Sequence, residues 1–186
     1  MGADEDAGAP GRCQARPDLF VARRGADVLA DIALGVSVVA AGLWSGLLLM
    51  LTTILHPVYA AQGPRGFAEA MRAFLPVART SPTNSVLVAL LVLAPAVALV
   101  GLRDQVTSAP FVLTAVGLAA TVTGPLEISR RWSEPNYDVM LSWEPEAVPD
   151  DWRVARARWL RANWVRAALT WLALACFLLA WYLHLT

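Results

Sequence analysis

The sequence predicts an all-α protein, an integral membrane four-helix bundle, on three observations. Of its 186 residues, 57% are hydrophobic and 16% are charged, against about 45–50% and about 25% in ordinary soluble domains. The mean hydropathy is +0.51. The apolar residues gather in four runs, at about 28–55, 86–102, 111–128 and 164–185, and a membrane helix needs roughly 17–25 such residues. A soluble bundle of fully buried helices is excluded by length, because four runs of this size cannot all be central in so short a chain. The length itself implies one compact domain.

Residues 1–26, rich in Gly, Ala, Pro and mixed charge, are expected to be a disordered N-terminal tail, and residues 27–186 the bundle. The tail is too long and too acidic for the n-region of a signal peptide, and the first apolar run is too long for an h-region. That run, Val28 to Leu55, is interrupted only by Asp31 and ends at His56-Pro57, where proline disfavours helix at the residue before it. Residues 57–83 are expected to be a loop. Within it, Phe67, Met71, Phe74 and Leu75 fall at helical spacing among Arg65, Arg72 and Arg79. This is the pattern of a short amphipathic helix, on the membrane surface or over the bundle mouth. SPTNS offers Asn84 or Ser85 as the N-cap of the second span. Pro95 inside that span frees a backbone carbonyl and favours a kink. The short link GLRDQVTSAP makes the second and third spans antiparallel neighbours. A polar, Trp-rich loop is expected from Ser129 to Asp151, and the last helix starts charged near Trp152 before turning apolar at Trp164.

The loops 56–83 and 129–163 lie on one side and carry nine arginines, against five in the tail and the second link. The positive-inside rule therefore places the larger loops in the cytoplasm and both termini outside, although the four tail arginines pull the other way. The expected location is the plasma membrane of a bacterium, with the lipid bilayer as partner. Zero formal charge gives no strong attraction to nucleic acid. All 15 basic residues are arginine, which reads as a compositional habit rather than chemistry. Cys13 and Cys176 form neither a disulfide framework nor a CxxC pair.

The polar residues within the apolar runs are the candidate site. Trp159, Asn163, Arg166 and Thr170 are spaced 4, 3 and 4 apart and share one helix face. Arg166, about one turn into the apolar run, either snorkels to the interface or lines a pocket. Glu127 stands near the end of the third span, where a carboxylate opposes the helix dipole. It pairs locally with Arg130 or Arg131, or across the bundle with Arg166. His56, at the same membrane face, is either an exposed loop residue or a proton acceptor at the pocket mouth. Trp132, Trp143, Trp152, Trp159 and Trp164 surround the third loop, as interfacial anchors or as walls for a flat aromatic ligand. Gly42 and Gly46 form a GxxxG pair suited to close helix approach, within the chain or to a second copy. His184 lies at the opposite side from His56, so no two-His set exists for a metal, and none is expected. No dinucleotide, nucleotide, haem or hydrolase motif is present, and no cofactor is expected.

The C-terminal half resembles the anthrone oxygenase-like membrane proteins, small four-span proteins that carry a domain of unknown function. The resemblance rests on Gly124-Pro125-Leu126, on the acidic, Pro-containing EPEAVPDDW, and on Trp159, Asn163 and Arg166 in a Trp-x-x-x-Asn-x-x-Arg arrangement. It departs at Glu127, where the family usually has Asn. The family implies cofactor-independent oxygenation of an anthrone-like aromatic polyketide. A base forms an electron-rich anion, and that anion reduces oxygen directly. The resemblance then implies Glu127 or His56 as base, Arg166 with Asn163 as anion stabilisers, and Trp159 and Trp132 as substrate-binding walls. The alternative is a non-enzymatic membrane partner subunit or small carrier, in which Glu127 and Arg166 are structural and Gly42 and Gly46 face another protein.

Overall fold

The computed structural model describes the backbone of residues 17–186, with side-chain surroundings from Gly25 onward. Residues 1–16 of the expected tail lie outside the described residues, and from Pro17 the chain is helical. Helix α1 covers Pro17–Met50 and continues through a wide π-helical segment, Leu51–Leu55, into α2, His56–Ala60. Helix α3 covers Pro64–Thr80 and α4 covers Pro82–Gly101, followed by a single 3₁₀ turn. Helix α5, Ala109–Thr121, passes through a second π-helical segment, Val122–Ser133, into α6, Glu134–Leu141; α7 is Trp152–Leu185. Among the described residues there is no strand.

Four helical stretches, Gly25–Ala60, Pro82–Gly101, Ala109–Leu141 and Trp152–Leu185, are long and apolar enough to cross a membrane. Helix α1 packs on α4 and α7, and α5 packs on the same two, so the contacts close into a cycle. Large apolar side chains point outward: Ile32, Val39, Leu43, Leu93, Leu178 and Leu179 are all exposed. Hydroxyls point inward, with Ser37, Thr114, Thr121 and Thr170 fully buried. Each of these is satisfied by a backbone carbonyl, for example Ser37 Oγ to Ala33 O at 2.7 Å and Thr170 Oγ1 to Arg166 O at 2.8 Å. Close approach between α5 and α7 requires Gly117, where a Cβ would overlap the Phe177 ring.

The prolines shape the long helices. Pro95 has no N–H to give to Leu91 O, and Thr121 Oγ1 of the neighbouring helix reaches that carbonyl at 3.1 Å. Pro57 interrupts the regular ladder after α1, and the His56 N–H reaches five residues back to Leu51 O. A regular helix drifts by about 40° at every step of four residues. The wider π turn offsets that drift and keeps Trp44, Leu48, Thr52 and His56 on the buried face.

Three expectations are corrected. The first helical stretch does not end at His56-Pro57; it runs on to Ala60, because proline at the first turn of α2 lacks only an N–H that the π turn before it already leaves free. The third helical stretch does not stop at Ile128; it runs to Leu141, and the expected loop shrinks to residues 142–151. Buried contacts override the polar composition here. Asn136 donates to Ala155 O at 2.9 Å, and Tyr137, Met140 and Trp143 are buried. The N-cap of α4 is Ser81, whose Oγ accepts the Asn84 N–H at 3.4 Å. Pro82 at the first helical position favours that start. The Asn84 side chain instead donates to Ala78 O at 3.0 Å, near the end of α3.

Helix α3 is the expected amphipathic helix, and it lies over the end of the long helices. Phe67, Met71 and Leu75 are fully buried. The Phe67 ring packs 5.7 Å from Trp152 and 6.3 Å from Trp159, centroid to centroid. Its polar edge is tied to the segment 134–146 by Arg65 to Glu146 at 3.4 Å, Arg72 to Glu144 at 3.1 Å and Arg79 to Asp138 at 2.8 Å.

Candidate functional site

Beneath α3 lies a cavity of about 270 Å³. Trp44, Leu48 and Leu51 of the first stretch, Phe74 of α3, Val88 of α4 and Trp159 of α7 make its apolar wall. Its polar groups include Asn163 and Arg166 of α7, Glu134 and Tyr137 of α6, Ser129, and Arg79 of α3, with Asn84 and Ser85 at the start of α4.

Asn163 and Arg166 are three residues apart on α7 and so share a face, and the Arg166 guanidinium donates to Asn163 Oδ1 at 3.1 Å. The same terminal nitrogen stands 3.5 Å from the Tyr137 hydroxyl. With its oxygen accepting from Arg166, the Asn163 amide turns its NH₂ to His56 Nε2 at 3.2 Å. His56 Nε2 is then the acceptor and its proton sits on Nδ1. Both His56 and Asn163 are buried, and the His56 ring stacks at a tilt 4.8 Å from Trp159. The chain His56–Asn163–Arg166–Tyr137 therefore joins three of the long helical stretches. Two of its donors, His56 Nδ1 and Arg166 Nε, are buried with no partner. Unpaired buried donors are costly and call for an acceptor.

Arg79 closes the cavity from the α3 side. It forms an ion pair with Glu134 and a second with Asp138, and its guanidinium lies 5.8 Å from the centre of the Tyr137 ring. The hydrogen bonds to Glu134 and then to Asp138 raise its pKa above the usual arginine value, so it is a permanent cation. Both Arg79 bonds to Glu134 engage Oε2.

Four of the six residues singled out from sequence, His56, Asn163, Trp159 and Arg166, come together here. His56 stands behind Asn163 rather than on the cavity wall, and is buried rather than exposed. Glu127 does not reach the cavity. It turns to Arg131, with Oε2 to Nε at 2.7 Å, an ion-pair contact at an angle outside that of a hydrogen bond. Trp132 is 62% exposed and borders a separate cleft. That cleft is larger, at about 550 Å³, but it has no buried polar chain like the one beneath α3. Sequence reading missed Glu134, Tyr137 and Arg79. The first two were hidden by reading residues 129–151 as loop; at helical spacing, Glu134, Tyr137 and Asp138 would have shared a face.

Among the described residues, no three His, Cys, Asp or Glu side chains gather closely enough to hold a metal ion. No protein-family model, no curated protein and no solved structure matches this chain.

Proposed function

We propose that this chain is an integral membrane four-helix bundle that oxygenates an apolar aromatic, anthrone-like substrate without a cofactor. The membrane reading is supported by the outward apolar side chains and inward hydroxyls. The enzymatic reading rests on one observation above all. A half-buried cation, Arg166, has a shielded, unpartnered Nε on the edge of an aromatic-walled cavity and is oriented by Asn163 and Tyr137.

In this reading the flat substrate lies between Trp44, Phe74 and Trp159. Glu134, whose Oε1 is left free by Arg79, takes a proton from the substrate's acidic CH₂ group. The electron pair stays on the substrate as an enolate, and its oxygen pairs with Arg166. Asn163 holds the guanidinium in place, and His56 holds Asn163. The carbanion passes one electron to oxygen, the two radicals join in a C–O bond, and the resulting peroxide anion takes the proton back from Glu134 to give a hydroperoxide. Loss of the remaining C–H proton breaks the O–O bond and leaves a carbonyl and water. The CH₂ group and one O₂ thus become C=O and H₂O. Glu127, outside the cavity, has no step to perform here.

Oxygen uptake by the detergent-purified protein supplied with an anthrone tests this. The parent consumes oxygen, Arg166→Ala loses about 10²-fold or more in turnover, Glu134→Gln falls sharply, and Glu127→Gln stays near the parent. No uptake by a folded parent overturns the enzymatic reading.

One observation favours the second reading, a membrane partner subunit. A Cβ at Gly42 or Gly46 would meet no atom within 4 Å, so this small-residue face is open. Gly46→Leu would then break a complex seen by cross-linking in membranes. A chain that is monomeric both before and after the change removes this reading.

A further inference from the structure

We propose that the 550 Å³ cleft between α6 and the start of α7 binds the phosphate of an anionic lipid headgroup. This rests on the membrane reading above and not on the oxygenase chemistry. Arg131, Arg158 and Arg161 line the cleft against a single carboxylate, Asp151. The arginines of α3 are all satisfied: Arg65, Arg72 and Arg79 each pair with a carboxylate. Arg131 pairs with Glu127. Arg158 and Arg161 have no carboxylate within ion-pair distance among the described residues, and neither donates a side-chain hydrogen bond there. Arg153 and Arg156, on the same helix, differ: both guanidiniums lie over the Trp152 ring, at 5.4 and 4.6 Å from its centre.

The depth is right for a headgroup. Arg161 precedes Trp164, where the apolar run of α7 begins, by three residues, and Arg158 is about one turn further out. In a bilayer this is the level of the lipid phosphates. Two arginines spaced i and i+3 present two planar forks to one phosphate. The exposed Trp132 stands at the cleft edge, as an interfacial anchor does, and the buried Trp143 makes the inner wall. The cleft is thus a cationic notch with an aromatic side, open at the height where the phosphodiesters lie.

Native mass spectrometry of the full chain in detergent, supplied with equal phosphatidylglycerol and phosphatidylcholine, reads the site directly. The parent retains phosphatidylglycerol in preference. Arg158→Gln and Arg161→Gln each weaken that retention about fivefold, and the single changes remain informative if the double variant fails to fold. Arg103→Gln, at the other end of the long helices, leaves retention unchanged. Equal retention in the two glutamine variants and the parent overturns the proposal. So does equal thermal stabilisation by inorganic phosphate and by phosphatidylglycerol, which marks a free-anion site. A parent that stays in carbonate-washed membranes yet shows no lipid preference refutes this site alone. A parent released by carbonate refutes the membrane reading and this site with it.

Discussion

Thr121 carries a duty that its own helix does not set. Pro95 leaves Leu91 O without its usual donor, and the Thr121 hydroxyl stands 3.1 Å from that carbonyl and 2.8 Å from Leu118 O, its one proton lying between two acceptors. A buried carbonyl left bare costs about 1–3 kcal/mol. Thr121→Val is therefore expected to lower stability in detergent melts by about 1–3 kcal/mol in the parent and by much less in Pro95→Ala, where the backbone N–H returns. Equal losses in both backgrounds would show that the hydroxyl does not serve that carbonyl. Gly117 makes a similar prediction through packing. Gly117→Ala pushes a methyl group into the Phe177 ring and is expected to cost about 1–3 kcal/mol. Adding Phe177→Leu should restore part of the loss, and a failure to do so would relocate the constraint to the backbone.

At the scale of an element, α3 is held by both of its edges. Its apolar edge buries Phe67, Met71 and Leu75 completely, and its polar edge makes ion pairs that are largely solvent-exposed. Exposed pairs contribute roughly 0–1 kcal/mol each, whereas truncating a buried Phe to Ala costs about 3–5 kcal/mol. The apolar edge therefore dominates the docking, and the charges select register. Phe67→Ala should release α3 and expose Arg72 to trypsin, while Glu144→Gln with Glu146→Gln, which breaks the ion pairs of Arg72 and Arg65 with that segment and keeps both cleavage sites, should leave the helix docked and cleavage slow. The reverse pattern would show that the ion pairs hold the helix.

For the whole molecule, the orientation expected from the arginine distribution is testable with the chain's own cysteines. Cys176 is buried, and Cys13 lies in the N-terminal segment, before the first long apolar helix. With both termini outside, a membrane-impermeant maleimide should label the parent in intact cells and not Cys13→Ser. Labelling of the parent only after the cells are opened would invert the orientation.

Composition and run length by themselves determined the helical class, the four long apolar stretches and the amphipathic character of α3. These are local properties, set by residues within a few turns of one another. The shared face of Trp159, Asn163 and Arg166 was legible for the same reason, since helical spacing alone aligns them. Partners far apart in sequence were decided only by the tertiary structure. His56 meets Asn163 across 107 positions because a π turn keeps it on the buried face. Glu127 forms its ion pair with Arg131 instead of Arg166 because its neighbour one turn along the widened helix reaches it first. Tyr137 and Glu134 enter the cavity because α6 continues past the apolar run and packs against α3 and α7. A polar composition reads as loop until something buries it, and what buries it here comes from other parts of the chain.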